Sequence, residues 1–567
     1  MKFGLLQYTL DLFFKKVIEQ YSDRPSLALV GETPFTYWKF GQKVNELQDM
    51  LKNLGLRKQD KVILLGNSSP NWATAFMAVM TMGAVAVPVL EEFPEGDIDH
   101  IIRHSDATSV FIDDYYYKHL NLTSLKKINH IISLDDLRLL TDEPDSKPTI
   151  LKQIQDIPDR VFKVFDKSSS DEADWTIEED DLAEILYTSG TTGHSKGVML
   201  THKNLVSNLF EGPDLLGVIN KNSIILSILP MAHAFGSTSA FLSIIYCGAS
   251  IFYLNKPPSP KILLEAMQEV KPTILGAVPL IFEKIYHKQI LPQIAANKVL
   301  NMLAGSAKIR KLLYKVVGKK VKKLLGGRLD CVIIGGASLS KEVEIFLQEG
   351  AIPYCCGYGL SECSPLVTFS SKATRKMGSP GHAILDVQIK IMDQDPESEI
   401  GEICVKGPNV MSGYYKNNKA TENAFTSDGW FITGDQGYLD QDGYLFITGR
   451  SKNVIVLPSG ENICPELVEA KLAESLFIEE CLVYQLDNRL VARVYPDYNY
   501  IESLERGKDE NRLAGDINAI LENVRKDLNK KLPSFSKINQ IIEQSSPFIK
   551  TPTKKIKRGE YVPGYQV

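Results

Sequence analysis

Tyr187 to Gly197 reads YTSGTTGHSKG, directly after the apolar pair Ile185-Leu186. An apolar run that opens into such a loop is suited to wrap phosphate. Gly190, Gly193 and Gly197 let backbone approach an anion closely, while Thr188, Ser189, Thr191 and Thr192 offer hydroxyl donors. Lys196 adds a mobile positive charge. The plainer alternative is a flexible surface turn. The stretch is not a Walker loop, because Gly197 follows Lys196 where that loop carries a magnesium-binding hydroxyl.

Upstream, KVILLG from Lys61 reads as a strand, Ser69 can cap a helix whose first residue is Pro70, and Gly83 stops that helix before the strand AVAVPV. Further apolar runs at SVFID, HIISL, SIILSILP, ASIFYL, TILGAVP and CVIIGG are separated by helical or polar stretches, as in a largely parallel buried sheet. The class is therefore α/β, with more than one sheet. Thr141 to Pro148 and Asp166 to Asp181 are polar and read as exposed connectors. After about Asp386 short strands and tight turns, with Asp442-Gly443 as a hairpin signal, predict a small β-rich subdomain. Beyond Arg450 the helix PELVEAKLAESL, two strands turning at Asp487-Asn488 and a helix through Lys531 predict a separate α+β unit. The expected division is a large domain over 1–450 and a small one over 451–567.

With 567 residues and 44% hydrophobic content, the chain can bury more than one core. Sixty-four basic against 69 acidic residues, a formal charge of −5, give no overall pull toward nucleic acid. Cys355, Cys356 and Cys363 lie close together but lack the paired spacing of a zinc site, so they read as reduced thiols. MKFGLLQYTLDLFFKKVIEQ reads as an amphipathic first helix rather than a signal peptide, since Asp11 interrupts it. No apolar run reaches the length of about 18 residues that a membrane span needs, and a cytoplasmic location is expected.

The loop at Tyr187–Gly197 resembles the signature loop of the adenylate-forming superfamily of acyl-CoA synthetases, peptide-synthetase adenylation domains and luciferases. Other segments follow in that superfamily's order: LPMAHAFG around His233, GGASL from Gly335, YGLSE from Tyr358, TGD ending at Asp435, GRSKN from Gly449, and TPTKKIKR near the end. DRPSLAL and GAVAVPV resemble its start. The resemblance implies ATP and magnesium as cofactors, coenzyme A as co-substrate, and a role for each matching residue. His233 would sit at the mouth of the acyl and pantetheine channel, where a core histidine is the bland alternative. Tyr358 would stack on adenine, within nucleotide-binding segments that include Gly335, Gly336, Ala337, Gly359 and Ser361. Glu362 and Thr188 would hold magnesium, and Asp435 with Arg450 would bind the ribose hydroxyls. Lys555 would be the catalytic lysine; Lys554 precedes it where the family commonly has glycine, a form that resembles long-chain synthetases more than short-chain ones. Without the resemblance, Lys554, Lys555, Lys557 and Arg558 read as a solubilising tail. Lys452 would be the hinge, and Gly460, Glu461 and Asn462 a strand beside the pantetheine arm.

These roles imply an AMP-forming acid-thiol ligase: a fatty acid attacks ATP to give an acyl-adenylate and pyrophosphate, then the small domain turns and a thiol takes the acyl group. No Gly-x-Asp-Ser-Leu carrier segment occurs, so coenzyme A is favoured over a carrier protein. Between Lys284 and Arg328 stand twelve Lys or Arg and no Asp or Glu, interleaved with apolar residues. Such a segment reads either as a cationic solvated insert or as a peripheral membrane contact at the cytoplasmic face. The insert resembles long-chain acyl-CoA synthetases. Two other readings stay open: an acyl-carrier-protein synthetase or fatty acyl-AMP ligase, and a non-catalytic nucleotide-binding regulator. Monomer and homodimer stay open as well.

Overall fold

The computed structural model describes residues 4–120, 122–140, 175–188, 195–209, 217, 219–256, 259–296, 306–456, 462–487, 489–504, 510–533, 536–551 and 555–563. The connector expected at Thr141–Pro148, and 166–174 of the next one, lie outside these residues.

The strands Lys61–Leu65 and Val85–Val89 form in parallel, and every residue of the second is buried, as both-faces-covered strands require. The helix between them, Pro70–Thr81, starts where Ser69 Oγ accepts the Trp72 N–H at 3.1 Å. It ends at Gly83, whose φ of +83° is a left-handed value that glycine adopts without strain. These two strands are the middle of a seven-stranded sheet that runs from Gly413–Tyr414 through Lys196–Thr201 and Leu182–Thr188 to Ser109–Ile112 and His130–Ser133. Its neighbour is a nine-stranded sheet centred on Ile224–Ser227, Ile274–Ala277, Cys331–Ile334 and Tyr354–Gly359, parallel there and antiparallel at both edges. Phe13, Phe40, Trp72, Phe76 and Phe241 are fully buried members of one apolar core. The first helix, Leu10–Tyr21, adds Phe13, Phe14, Val17 and Ile18 to it, as its amphipathic reading predicts.

A four-stranded antiparallel sheet follows, from Gln388–Met392 to Leu445–Arg450, with its last hairpin turning through Gly443 at φ +81°. The chain beyond it carries a further three-stranded sheet, in which Leu486 pairs with Arg489 across the turn expected at Asp487-Asn488. The last long helix, Glu510–Asn529, stops two residues before Lys531 because Lys531 N–H turns back to Leu528 O at 2.8 Å. This part has its own apolar core, including Val468, Leu472, Val483, Ala492 and Ile538.

Glu184 departs from the apolar rule of the buried strands. It lies on Leu182–Thr188 with its side chain fully buried, and neither carboxyl oxygen has a hydrogen-bond partner among the described residues. Burial pushes its carboxyl up to about 8, so the strand that feeds the glycine-rich loop contains a neutral acid at pH 7.

Candidate active site

Leu182–Thr188 and Lys196–Thr201 are antiparallel, and Thr188 faces Lys196 across the ladder. The loop thus leaves and re-enters the sheet at adjacent points. Ser189, Gly190, Thr191, Thr192 and Gly193 lie outside the described residues. Gly197 has a packing role: an added Cβ would meet Ile185 at 2.8 Å and the Tyr187 ring at 3.2 Å, so its smallness serves the strand pair. Lys196 Nζ lies 5.0 Å from the centre of the Tyr414 ring, and the Tyr414 hydroxyl donates to Glu362 Oε1 at 3.0 Å. Tyr414 therefore joins two residues that the sequence motifs place far apart. The segment Gly413–Tyr415 carries no signal of that role beyond its tyrosines.

Glu362 and Ser361 stand on a single 3₁₀ turn, Ser361–Cys363, just after the strand Tyr354–Gly359. Gly359 makes the turn possible, because a Cβ there would lie 1.9 Å from Pro365 O. One residue before it, the Tyr358 hydroxyl donates to Asp435 Oδ2 at 2.8 Å. Arg450 Nε binds the other Asp435 oxygen, also at 2.8 Å. Asp435 and Arg450 are direct partners in the ladder between Phe431–Leu439 and Leu445–Arg450. The Asp435 side chain is only 8% exposed, so its two oxygens are committed in a largely dry place. Glu402, which no motif singled out, accepts the Gly434 N–H at 2.7 Å and also bonds Ser451 Oγ. It ties the turn before Asp435 to the turn Ser451–Asn453 that carries exposed Lys452.

His233 Nδ1 accepts the Phe235 N–H at 3.2 Å, which leaves the ring proton on Nε2. Burial, and then the charge of Lys555, hold His233 down to about 4, so the ring is neutral at pH 7. It precedes a wide π-helical stretch, Phe235–Leu242, a geometry frequent at functional sites. Across the nine-stranded sheet, Gly335 packs close enough that a Cβ would meet the Phe235 ring at 3.3 Å. Gly336, at φ +86°, and Ala337 follow it on the surface.

The basic cluster at the end of the chain is not a free tail. Lys555 N–H donates to Thr551 Oγ1 at 3.1 Å, and Lys555 O accepts the Thr551 N–H at 2.7 Å. Arg558 then grips both oxygens of Glu469, at 2.6 and 2.7 Å, and donates to Val483 O at 3.0 Å. Lys555 is an exposed residue, yet protein around its ammonium and the nearby Arg450 lower its pKa, against the opposing pull of Asp435 and Glu362. Lys555 is thus within electrostatic reach of His233, Glu362, Asp435 and Arg450. Gly460 and Glu461 lie outside the described residues, and Asn462 pairs through its backbone with Val456.

Among the described residues no group of three or more His, Cys, Asp or Glu could hold a metal ion. A lone carboxylate such as Glu362 suits magnesium, which is held by one or two carboxylates together with phosphate oxygens and water rather than by a protein cage. A model of the family described as AMP-binding enzyme matches residues 14–415. The chain belongs to that family. Long chain acyl-CoA synthetase 4 of Arabidopsis thaliana is 28% identical, over 98% of this AMP-binding enzyme and 90% of the relative. The chloroplastic long-chain-fatty-acid acyl-carrier-protein ligase AEE15 of the same plant is 27% identical, over 97% of this chain and 84% of its own. ATP-bound MatB from Rhodopseudomonas palustris shares the fold, with a TM-score of 0.73 at 22% identity, covering 97% of this AMP-binding enzyme and 98% of MatB.

Proposed function

We propose that this AMP-binding enzyme is a long-chain fatty acid:CoA ligase. ATP and the acid give acyl-adenylate and pyrophosphate; coenzyme A then takes the acyl group and AMP leaves. The observation that carries this reading is the convergence of Lys555 with Glu362, Asp435, Arg450 and His233. A carboxylate and a triphosphate repel each other, so the first step needs fixed positive charge where the attacking oxygen meets the α-phosphorus. Lys555 supplies it there, and Lys196 with the hydroxyls of Thr188, Ser189, Thr191 and Thr192 grips the phosphates. Asp435 and Arg450 take the ribose hydroxyls, and Tyr358 offers its ring to adenine. Magnesium, bound through Glu362 and Thr188, would screen the phosphate charge. Neutral His233 can donate from Nε2 at the channel mouth without adding charge.

For the second step the unit 451–567 turns about Lys452, withdraws Lys555 and brings Gly460 to Asn462 beside the thiol. Coenzyme A is the acceptor in this reading, and an acyl carrier protein is the alternative. The test is exchange of labelled pyrophosphate into ATP with acids from acetate to oleate and magnesium present, followed by addition of coenzyme A or carrier protein. Exchange that needs a long-chain acid, and product only with coenzyme A, is the outcome this function requires. Folded protein that exchanges with none of the acids would rule it out.

Peripheral contact with an anionic membrane belongs to the same reading, since a long-chain acid partitions into lipid. On the helix Ala307–Leu324, Tyr314, Gly318 and Val321 face inward, while Lys308, Lys311, Lys315, Lys319 and Lys320 are exposed beside Leu312 and Val316, themselves 65% and 51% exposed. Among the described residues no helix is long and apolar enough to cross a membrane. Vesicles containing anionic lipid should sediment the protein at low salt and release it at high salt. Equal, weak sedimentation with neutral and anionic vesicles would remove the membrane contact and leave the ligase chemistry standing.

A further inference from the structure

Among the described cations between Lys284 and Arg328, Arg310 and Lys288 are paired with acids. Arg310 is paired with both oxygens of Glu349 at 2.9 and 2.8 Å, a contact between neighbouring helices. Lys288 makes a different kind of contact. It lies on the stretch Tyr286–Ile290, and its Nζ donates to Glu479 Oε1 at 3.1 Å and stands 3.4 Å from Asp497 Oδ2. Glu479 belongs to the strand Ile478–Leu486, and Asp497 follows the strand Arg489–Pro496. Both acids are therefore part of the body with its own core, the one that also carries Lys555.

A body with a separate core, meeting the rest of the chain across polar contacts, is held by those contacts rather than by shared apolar packing. Asp497 is a firm anchor for such a contact. Its N–H donates to Phe477 O and its Oδ1 accepts the Tyr500 N–H, each at 3.0 Å, and its side chain is only 12% exposed. Elsewhere along the same seam two acids meet. Burial, then the charge of Glu342 and a side-chain hydrogen bond to it, raise the carboxyl of Glu474; Glu342 sits on the helix Lys341–Glu349, while Glu474 sits just past the helix Pro465–Leu472. Lys531, at 3.8 Å, and Lys471 pull the other way on Glu474. The Lys288 end of the seam thus joins opposite charges, which favours one seating of the body.

We infer that Lys288 is a positioning residue for adenylate formation: its ion pairs with Glu479 and Asp497 seat the C-terminal body where Lys555 reaches Glu362, Asp435 and Arg450. The inference rests on the ligase reading and adds to it a residue outside every nucleotide-binding motif. Lys288→Glu turns attraction into repulsion against two carboxylates. Pyrophosphate exchange should fall about tenfold, the scale of one reversed ion pair, while thioester formation from supplied acyl-adenylate stays within about twofold, since positioning Lys555 is not needed there. The charge-swapped Lys288→Glu/Glu479→Lys should regain at least half of the lost exchange, which a folding defect would not allow. Unchanged exchange in Lys288→Glu, equal loss of both half-reactions, or no recovery in the double variant would each overturn the seam. Absence of exchange in the unaltered protein would instead strike the ligase reading itself.

Discussion

Lys555→Ala should lower acyl-adenylate formation by at least about 10²- to 10³-fold, the usual scale for one preorganised charge at a reacting centre. Thioester formation from a supplied acyl-adenylate should largely survive. The asymmetry is the informative part. Protein around the ammonium, and then Arg450, lower the pKa of Lys555 against the pull of Asp435 and Glu362, while the residue as a whole stays exposed, so an arriving anion can reach its charge. ATP and the fatty carboxylate are such anions, and both are present only before the adenylate forms. Truncation at Cβ removes the charge without touching the Thr551 and Arg558 contacts that hold the surrounding chain. Fold and the second half-reaction are therefore expected to remain. Equal loss of both half-reactions, measured by pyrophosphate exchange and by thioester yield, would show that Lys555 is structural.

Asp435→Ala is expected to have the next largest effect. It strips the shared acceptor from Tyr358 and Arg450, each 2.8 Å from a carboxyl oxygen. Arg450 is half exposed and can turn toward water, so the stability loss should be about 1–3 kcal/mol rather than the full cost of a broken buried pair. The KM for ATP in pyrophosphate exchange should rise roughly 10- to 100-fold, as expected when a charged group no longer accepts from two ribose hydroxyls. Asp435→Asn keeps the shape and one acceptor oxygen, and should fall between the two. Thermal unfolding and the ATP dependence of exchange separate the two effects. A KM that does not move would place the ribose elsewhere.

The two variants probe opposite ends of what could be read from residues alone. Ser69 before Pro70, Gly83 after the helix and Asp442-Gly443 between two strands each state a local conformation through the atoms of a few neighbours, and each was legible for that reason. The ordered motifs likewise pointed to Glu362, Asp435, Arg450 and Lys555 by number. A packing need of Gly197 was not legible, because it depends on Ile185 and Tyr187 across a ladder, not on its own neighbours in the chain. Arg558 looked like part of a charged tail because its partner, Glu469, lies 89 positions away. Tyr414 gave no hint that its ring and hydroxyl would lie between Lys196 and Glu362. Lys288 was one cation among twelve until Glu479 and Asp497 came to meet it.

Along the chain, periodicity, caps, turns and ordered motifs were enough to establish an α/β architecture with a β-rich subdomain, a distinct C-terminal body and membership among enzymes that activate with a nucleotide. These are properties of short windows, where each residue's neighbours are already written. The folded arrangement was needed to show which charges share a site, which basic residues are held by acids, and that His233 is neutral and Glu184 uncharged at pH 7. Desolvation and Coulomb interaction depend on distance through space and on what excludes water, and neither quantity is carried by spacing along the backbone.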